Sequence, residues 1–285
     1  MTKILDGKIF AKNLRDELKG IVSTLREEYG NVPGLAVVLV GDNPASEVYV
    51  RNKGIQTKEC GMRSFEHKLP STIQQEDLLK VIYQLNEDPE VDGILVQLPL
   101  PDQIDAQKVL DTIDPAKDVD GFHPENAGLL AIGRPRFIPC TPKGIMRILE
   151  QYKIDLNGKH VVVVGRSNIV GRPISILTSM KMDGANATTT ICHSGTPNIQ
   201  YHTKTADVII VALGVPSFLD QEMIKKDAVV IDVGINRIDA DNQKGYKLVG
   251  DADWQSIEKK ASAATPVPGG VGPMTIAMLV ENTVE

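Results

Sequence analysis

Four consecutive valines, Val161 to Val164, run straight into Gly165, and this stretch restricts the fold more than any other in the chain. An unbroken β-branched run reads as a strand buried on both faces, the environment found inside a parallel sheet. Gly165 permits a tight turn. Gly171 and Pro173 suit the first turn of a helix, where proline's fixed φ and missing N–H do no harm. Strand, glycine turn and helix N-terminus together form an anion site of the kind that holds a dinucleotide pyrophosphate. The spacing is not G-x-G-x-x-G: Ser167 occupies the second glycine position and the third glycine comes one residue late. A phosphate-binding P-loop is excluded, because Arg172-Pro173 follows Gly171 in place of Lys-Ser/Thr. On spacing alone, a cofactor turn and an ordinary α/β turn both remain open.

The same apolar pattern recurs at residues 35–40, 93–98, 188–192, 208–213 and 228–233, with helical stretches between. That alternation predicts an α/β fold with parallel sheets covered by helices on both sides. Phe10, Leu14, Leu18, Ile21, Val22 and Leu25 recur at helical spacing, and Gly30 follows as a stop signal. A further helix is expected from Ser71 or Thr72, with Leu78, Leu79, Ile82 and Leu85 on its buried face. Residues 114–142 are rich in proline and glycine and mark the boundary between two α/β lobes. A cleft between such lobes is where small-molecule sites usually form.

Composition narrows the partner. The 4% aromatic content argues against a stacking platform for nucleic acid. A net charge of −6 with no long basic run argues against DNA, RNA and anionic membranes. The first seven residues lack an apolar leader core, and no later stretch approaches membrane-spanning length. Cys60, Cys140 and Cys192 lack C-x-x-C spacing and read as small buried hydrophobes in a reducing cytosol. The five histidines show no ligand pair, so no metal is expected. The partner is expected to be a small molecule.

Tyr49 and Lys53 form the second informative feature. Asp42 or Asn43 can cap a helix whose first residue is Pro44, which puts Tyr49 and Lys53 on one helical face near the carboxyl end of a strand. A lysine amine beside a phenol loses part of its charge by desolvation and serves as a general base or acid; most such pairs are solvated surface. Short-chain dehydrogenases also use Tyr-x-x-x-Lys, but there the pair follows the glycine-rich loop, and here it precedes it. Gln97 ends an apolar strand and must find a partner, either neighbouring backbone or a functional group. Pro99 and Pro101 end the strand and would present a rigid apolar wall to a flat ring. The stretch 114–121 fails as a calcium loop, since Ala116 and Ala127 fall at ligand positions. A partly buried aspartate there either caps the loop or accepts paired hydrogen bonds from an aminopyrimidine edge. After the strand at 188–192, Ser194 stands where an NAD site would place an acid, and Arg166 lies in the first turn, so a 2′-phosphate and hence NADP is favoured. His193 is read as a packing or hydrogen-bonding residue, with a catalytic base as the alternative.

The run Pro266-Val-Pro-Gly-Gly-Val-Gly-Pro-Met-Thr275 is too unusual to be generic. Together with Tyr49-Val-Arg-Asn-Lys53, Val96-Gln-Leu-Pro99, Lys117-Asp-Val-Asp-Gly121, Pro139-Cys-Thr-Pro-Lys-Gly144, the 165–171 turn and Asp232-Val-Gly-Ile-Asn-Arg237, it resembles one family along the whole chain. That family is the bifunctional methylenetetrahydrofolate dehydrogenase/methenyltetrahydrofolate cyclohydrolases. The resemblance implies that NADP⁺ takes hydride from 5,10-methylenetetrahydrofolate and that water then opens the methenyl product to 10-formyltetrahydrofolate in the same cleft. It implies a catalytic set of Lys53, Tyr49 and Gln97. Substrate would be held by these three with Leu98, Pro99, Asp120, Gly269 and Gly270. NADP would be held by Gly165, Arg166, Ser167, Ser194 and Ile235. It further implies a folate-binding catalytic domain at residues 1–120 plus 272–285, an NADP-binding Rossmann-like domain at 121–271, a homodimer and a cytoplasmic enzyme. The chain departs from the family in Gly195, where lysine is frequent, and in Val215, which interrupts a Gly-Lys-Pro. The strength of its preference for NADP over NAD therefore stays open. A cofactor-binding regulatory module without catalysis is the competing class, and the intact Tyr49/Lys53/Gln97 set argues against it.

Overall fold

The computed structural model describes residues 2–243 and 245–285. In chain order the strands are β1 (Lys3–Ile4), β2 (Gly34–Val40), β3 (Arg63–Leu69), β4 (Gly93–Val96), β5 (His160–Val164) and β6 (Thr188–Cys192). They continue with β7 (Val208–Val211), β8 (Val229–Asp232), β9 (Asn236–Asp239), β10 (Tyr246–Val249) and β11 (Ala263–Ala264). Two compact units emerge. The first comprises Lys12–Cys140 with Ile276–Glu285; the second comprises Thr141–Thr275 with the segment ending at Ala11.

The first unit is built on a three-stranded sheet of order β3-β2-β4, parallel throughout. Every residue of β2 is buried, as its Gly-Leu-Ala-Val-Val-Leu-Val sequence requires of a central strand. Gly34 starts it because a Cβ there would lie 2.0 Å from the Glu90 carbonyl oxygen. Helix Gly7–Tyr29 ends at Gly30, which takes φ +68°, the left-handed cap that glycine adopts without strain. Its Leu14, Leu18 and Val22 are buried, whereas Ile21 is exposed. Helix Gln75–Glu87 begins later than the expected Ser71 or Thr72, because a turn in which the Ile73 amide bonds the Pro70 carbonyl precedes it. Its buried face is Leu78, Leu79, Ile82 and Leu85, as the spacing requires. Strand β3 carried no apolar signal: Arg-Ser-Phe-Glu-His-Lys-Leu is an edge strand paired on one side only.

The second unit carries a six-stranded sheet, order β1-β11-β8-β7-β5-β6, with every pairing parallel. A separate antiparallel hairpin joins β9 to β10. The chain runs from β5 to β6 on one side and returns to β7 on the other, so the strand order reverses at β5. Open α/β sheets bind ligands outside the carboxyl ends of the strands at such a reversal. Residues 161–164 are fully buried within β5, and the turn at Gly165 therefore stands at the binding position of a Rossmann-like sheet.

Local pairing sets where the compact units begin and end. Strand β1 pairs with β11 and belongs to the second unit's sheet. Residues just beyond 120 stay with the first unit because Asp118 ties them back: its Oδ2 accepts from the His123 amide at 2.7 Å and from Asn126 Nδ2 at 2.8 Å. Among the described residues, no helix is long and apolar enough to cross a membrane.

Candidate active site

In the first unit, the loop after β2 starts helix Pro44–Glu59 with an asparagine cap. Asn43 Oδ1 accepts from the Ser46 amide at 3.2 Å and the Asn43 carbonyl from the Glu47 amide at 3.0 Å, while Pro44 occupies the first helical position. Tyr49 and Lys53 follow one turn apart. Their environments differ: Lys53 is 8% exposed and Tyr49 39%. The Lys53 ammonium nitrogen donates to Gln97 Oε1 at 3.0 Å. Gln97 reaches that position from the end of β4, where its amide N–H extends the ladder to the Val38 carbonyl at 2.9 Å. Its Nε2 donates to the Leu98 carbonyl at 2.7 Å, which turns the amide so that oxygen faces the lysine. Both partners weighed for Gln97, backbone and a functional group, are thus engaged at once. The Leu98–Pro99 peptide is cis.

Burial lowers the Lys53 pKa from its ordinary value, against the opposing pull of the Asp120 carboxylate and the Cys140 thiol. The same burial raises the Asp120 carboxyl, against Lys53 and a hydrogen bond with Cys140. Burial also raises the Tyr49 phenol, which stays protonated near neutral pH. The site therefore holds an amine with reduced preference for its charged form beside a carboxyl group with the same tendency. That is the arrangement needed to pass a proton rather than to fix a charge. The neighbouring acids divide by role. Asp114 caps its own loop through the Ala116 amide at 2.8 Å. Asp118 is a buried tie whose carboxyl burial pushes up to about 6, against hydrogen bonds from Asn126, His123 and Phe122. Of the three, Asp120 is the one that shares the lysine's field.

Asn282 was not singled out from sequence and Cys140 was read only as a small buried hydrophobe, yet both hold this loop. Asn282 Nδ2 donates to the Val119 carbonyl at 2.8 Å and to the Ile138 carbonyl at 3.0 Å, and the Cys140 thiol reaches the Val119 carbonyl at 3.4 Å. Asn282→Ala leaves both buried carbonyls without that donor and is expected to cost about 1–3 kcal/mol in urea unfolding. An unchanged unfolding midpoint would rule the clamp out.

In the second unit, glycine is required at both ends of the turn after β5. Gly165 takes φ +131°, and a Cβ there would stand 2.3 Å from the Ala212 carbonyl oxygen. A Cβ on Gly171 would stand 2.3 Å from the Gly165 carbonyl oxygen. Helix Gly171–Ser179 thus starts against the strand end. Ser167 holds the turn itself, its Oγ accepting from the Val170 and Gly171 amides at 3.2 and 3.3 Å. Arg166 and Ser194 are exposed, and Ile235 is 44% exposed. His193 Nδ1 accepts from the Gly195 amide at 3.1 Å, so the neutral ring carries its proton on Nε2. That nitrogen faces Arg166 Nη1 at 3.5 Å. Gly269, at φ +115°, and Gly270 belong to the loop before the last helix; a Cβ on Gly270 would meet Thr265 at 2.6 Å.

Known proteins resemble this chain along its whole length. Residues 5–120 match the tetrahydrofolate dehydrogenase/cyclohydrolase catalytic domain, and residues 139–285 match the NAD(P)-binding domain of the same family. A bifunctional FolD protein of Chlorobium chlorochromatii is 54% identical over 285 residues, covering 99% of this chain and 97% of its own length. The crystal structure of the bifunctional FolD methylenetetrahydrofolate dehydrogenase/cyclohydrolase from Campylobacter jejuni superposes with a TM-score of 0.94 at 48% identity, covering 100% of this chain and 98% of that one. A Trypanosoma brucei methylenetetrahydrofolate dehydrogenase-cyclohydrolase, complexed with NADP cofactor and inhibitor, gives 0.94 at 38% identity, with 99% and 96% covered.

Proposed function

The chain belongs to the tetrahydrofolate dehydrogenase/cyclohydrolase family, and on that premise we propose that it oxidises 5,10-methylenetetrahydrofolate with NADP⁺ and hydrolyses the methenyl product to 10-formyltetrahydrofolate. The observation that carries this reading is the buried Lys53 amine, held by Gln97 and sharing the field of Asp120. A methenyl folate is cationic, so a fully charged lysine beside it would be repulsive. A lysine of lowered pKa removes that repulsion and accepts a proton at lower cost.

For hydrolysis, water oxygen bonds to the methenyl carbon as Lys53 takes a water proton. The carbon–N5 bond then breaks, N5 receives a proton, and the second proton leaves to solvent. Gln97 sets the direction of the amine through its oxygen. Tyr49, half-exposed on the same helical face, supplies a ring for the folate to stack on. Asp120 holds the aminopyrimidine edge of the pterin, and Leu98, Pro99, Gly269 and Gly270 complete the folate surface.

For oxidation, bound NADP⁺ supplies the hydride acceptor. The residues fit such a group: the glycine turn after β5 leads into the N-terminus of helix Gly171–Ser179 at the reversal of strand order, with Arg166 exposed in that turn. Gly165 and Ser167 line the phosphate turn, Arg166 and Ser194 take the 2′-phosphate, and Ile235 packs near the nicotinamide. We assign the folate work to residues 1–120 with 272–285 and the NADP work to 121–271. The family resemblance also supports a cytoplasmic homodimer.

The test is an optical assay with methylenetetrahydrofolate, following NADPH and the methenyl chromophore separately. Both activities together give NADPH without lasting methenyl build-up. Persistent methenyl absorbance would reduce the protein to a dehydrogenase, and turnover with NAD⁺ alone would overturn the roles of Arg166 and Ser194.

A further inference from the structure

The second unit contains two buried carboxylates that the reaction above does not use. Asp232 ends β8 and Asp251 follows β10; they are 4% and 0% exposed. Among the described residues neither pairs with a cation; both are filled by N–H donors instead. Asp232 Oδ1 accepts from the amides of Gly234 at 2.9 Å and Asp251 at 3.0 Å, and its Oδ2 accepts from the Ala252 amide at 2.9 Å. Asp251 Oδ2 accepts from the amides of Leu213 at 2.6 Å and Gly214 at 2.9 Å. Its Oδ1 accepts from Asn236 Nδ2 at 2.8 Å.

One side chain thereby joins the loop after β7 to the segment after β8, and both emerge from the carboxyl ends of adjacent strands, where an α/β sheet binds its ligand. The space is committed to this use: a Cβ on Gly234 would stand 2.3 Å from Asp251 Oδ1, and one on Gly250 would sit against Asp232 Oδ2. Ile235, proposed above beside the nicotinamide, lies between Gly234 and Asn236, so residues next to it on both sides are held by this pair. Asp232 also engages Thr265, through its own amide at 2.7 Å, and so has a second loyalty toward the loop that carries Gly269 and Gly270. The Asp251 carbonyl also accepts from the Leu219 amide at 2.9 Å, further along the segment after β7.

We propose that Asp251 is a positioning residue that fixes the two strand-end loops against each other and so sets the affinity for NADP⁺. This rests on the cofactor reading above. Asp251 touches no reacting atom in that reading; it acts through Gly214 and Ile235.

The experiment measures NADP⁺ binding by titration calorimetry, with methenyltetrahydrofolate hydrolysis assayed in the absence of cofactor, for wild type and for Asp251→Ala, Asp251→Asn and Asn236→Ala. Asp251→Ala is expected to weaken NADP⁺ binding about tenfold or more, because three donors in part-buried hydrogen bonds lose their acceptor, and Asn236→Ala to weaken it about threefold. Asp251→Asn retains an oxygen for Leu213 and Gly214 and is expected to recover most of the affinity. Hydrolysis stays within about twofold of wild type in all three. Unchanged NADP⁺ affinity in folded Asp251→Ala overturns the proposal, as does hydrolysis that falls in step with binding. Should Asp251→Ala fail to fold, Asn236→Ala decides in the same way. A wild type that binds NADP⁺ but turns over neither folate would sink the proposed reactions, while the binding series would still judge Asp251.

Discussion

Lys53→Met is expected to abolish methenyltetrahydrofolate hydrolysis, by about 10³-fold or more, while the protein remains folded. The side chains are close in length and both suit a site that is 8% exposed, so packing is largely kept and the amine alone is removed. Water addition then lacks its proton acceptor, and Gln97 Oε1 loses the donor it holds at 3.0 Å. The pH dependence gives a second reading. Because burial lowers the lysine pKa, hydrolysis should reach half its maximum at a pH below that of an ordinary lysine. The folded state binds fewer protons than the unfolded one between the lowered pKa and the ordinary value, so wild-type stability rises with pH across that window. Urea titrations should show that rise in wild type and its absence in Lys53→Met. Hydrolysis at wild-type rates in the variant would remove Lys53 from the mechanism.

Arg166→Ala should raise the KM for NADP⁺ about tenfold and leave turnover with NAD⁺ nearly unchanged. The guanidinium is exposed, which places a charge-assisted contact to a 2′-phosphate toward the weaker end of its range and makes it sensitive to salt. The preference for NADP⁺ over NAD⁺ should accordingly shrink as ionic strength rises in wild type and change little in the variant. His193 keeps its Nε2 donor in place through the Gly195 amide, so some preference survives. Equal losses with both cofactors would mean that Arg166 shapes the turn and does not read the phosphate.

Much of this site was legible along the chain because its signals are local. Asn43-Pro44 starts a helix, and the helical repeat then puts Tyr49 and Lys53 on one face. Val161 to Val164 followed by Gly165 makes a buried strand and a turn whose geometry only glycine meets. The strand ends were read too long at 93–98, 208–213 and 228–233, since apolar residues continue past the last ladder pair into the loops. Strand β3 escaped notice because an edge strand needs no apolar run, and β1 because two residues carry no period at all.

Sequence alone determined the parallel α/β architecture, the helix that carries the lysine, the glycine turn and the family, each from short-range periodicity or from motifs of fixed spacing. Tertiary structure decided how those groups behave. Lys53 has a lowered pKa because β4 brings Gln97 to it and the fold shuts out water, and no spacing rule encodes desolvation. Asn282 reaches Val119 across 163 residues of chain, and Asp251 reaches Leu213 across 38. Hydrogen bonds between residues so far apart leave no periodic trace, so only the folded chain reveals which buried polar group holds which loop.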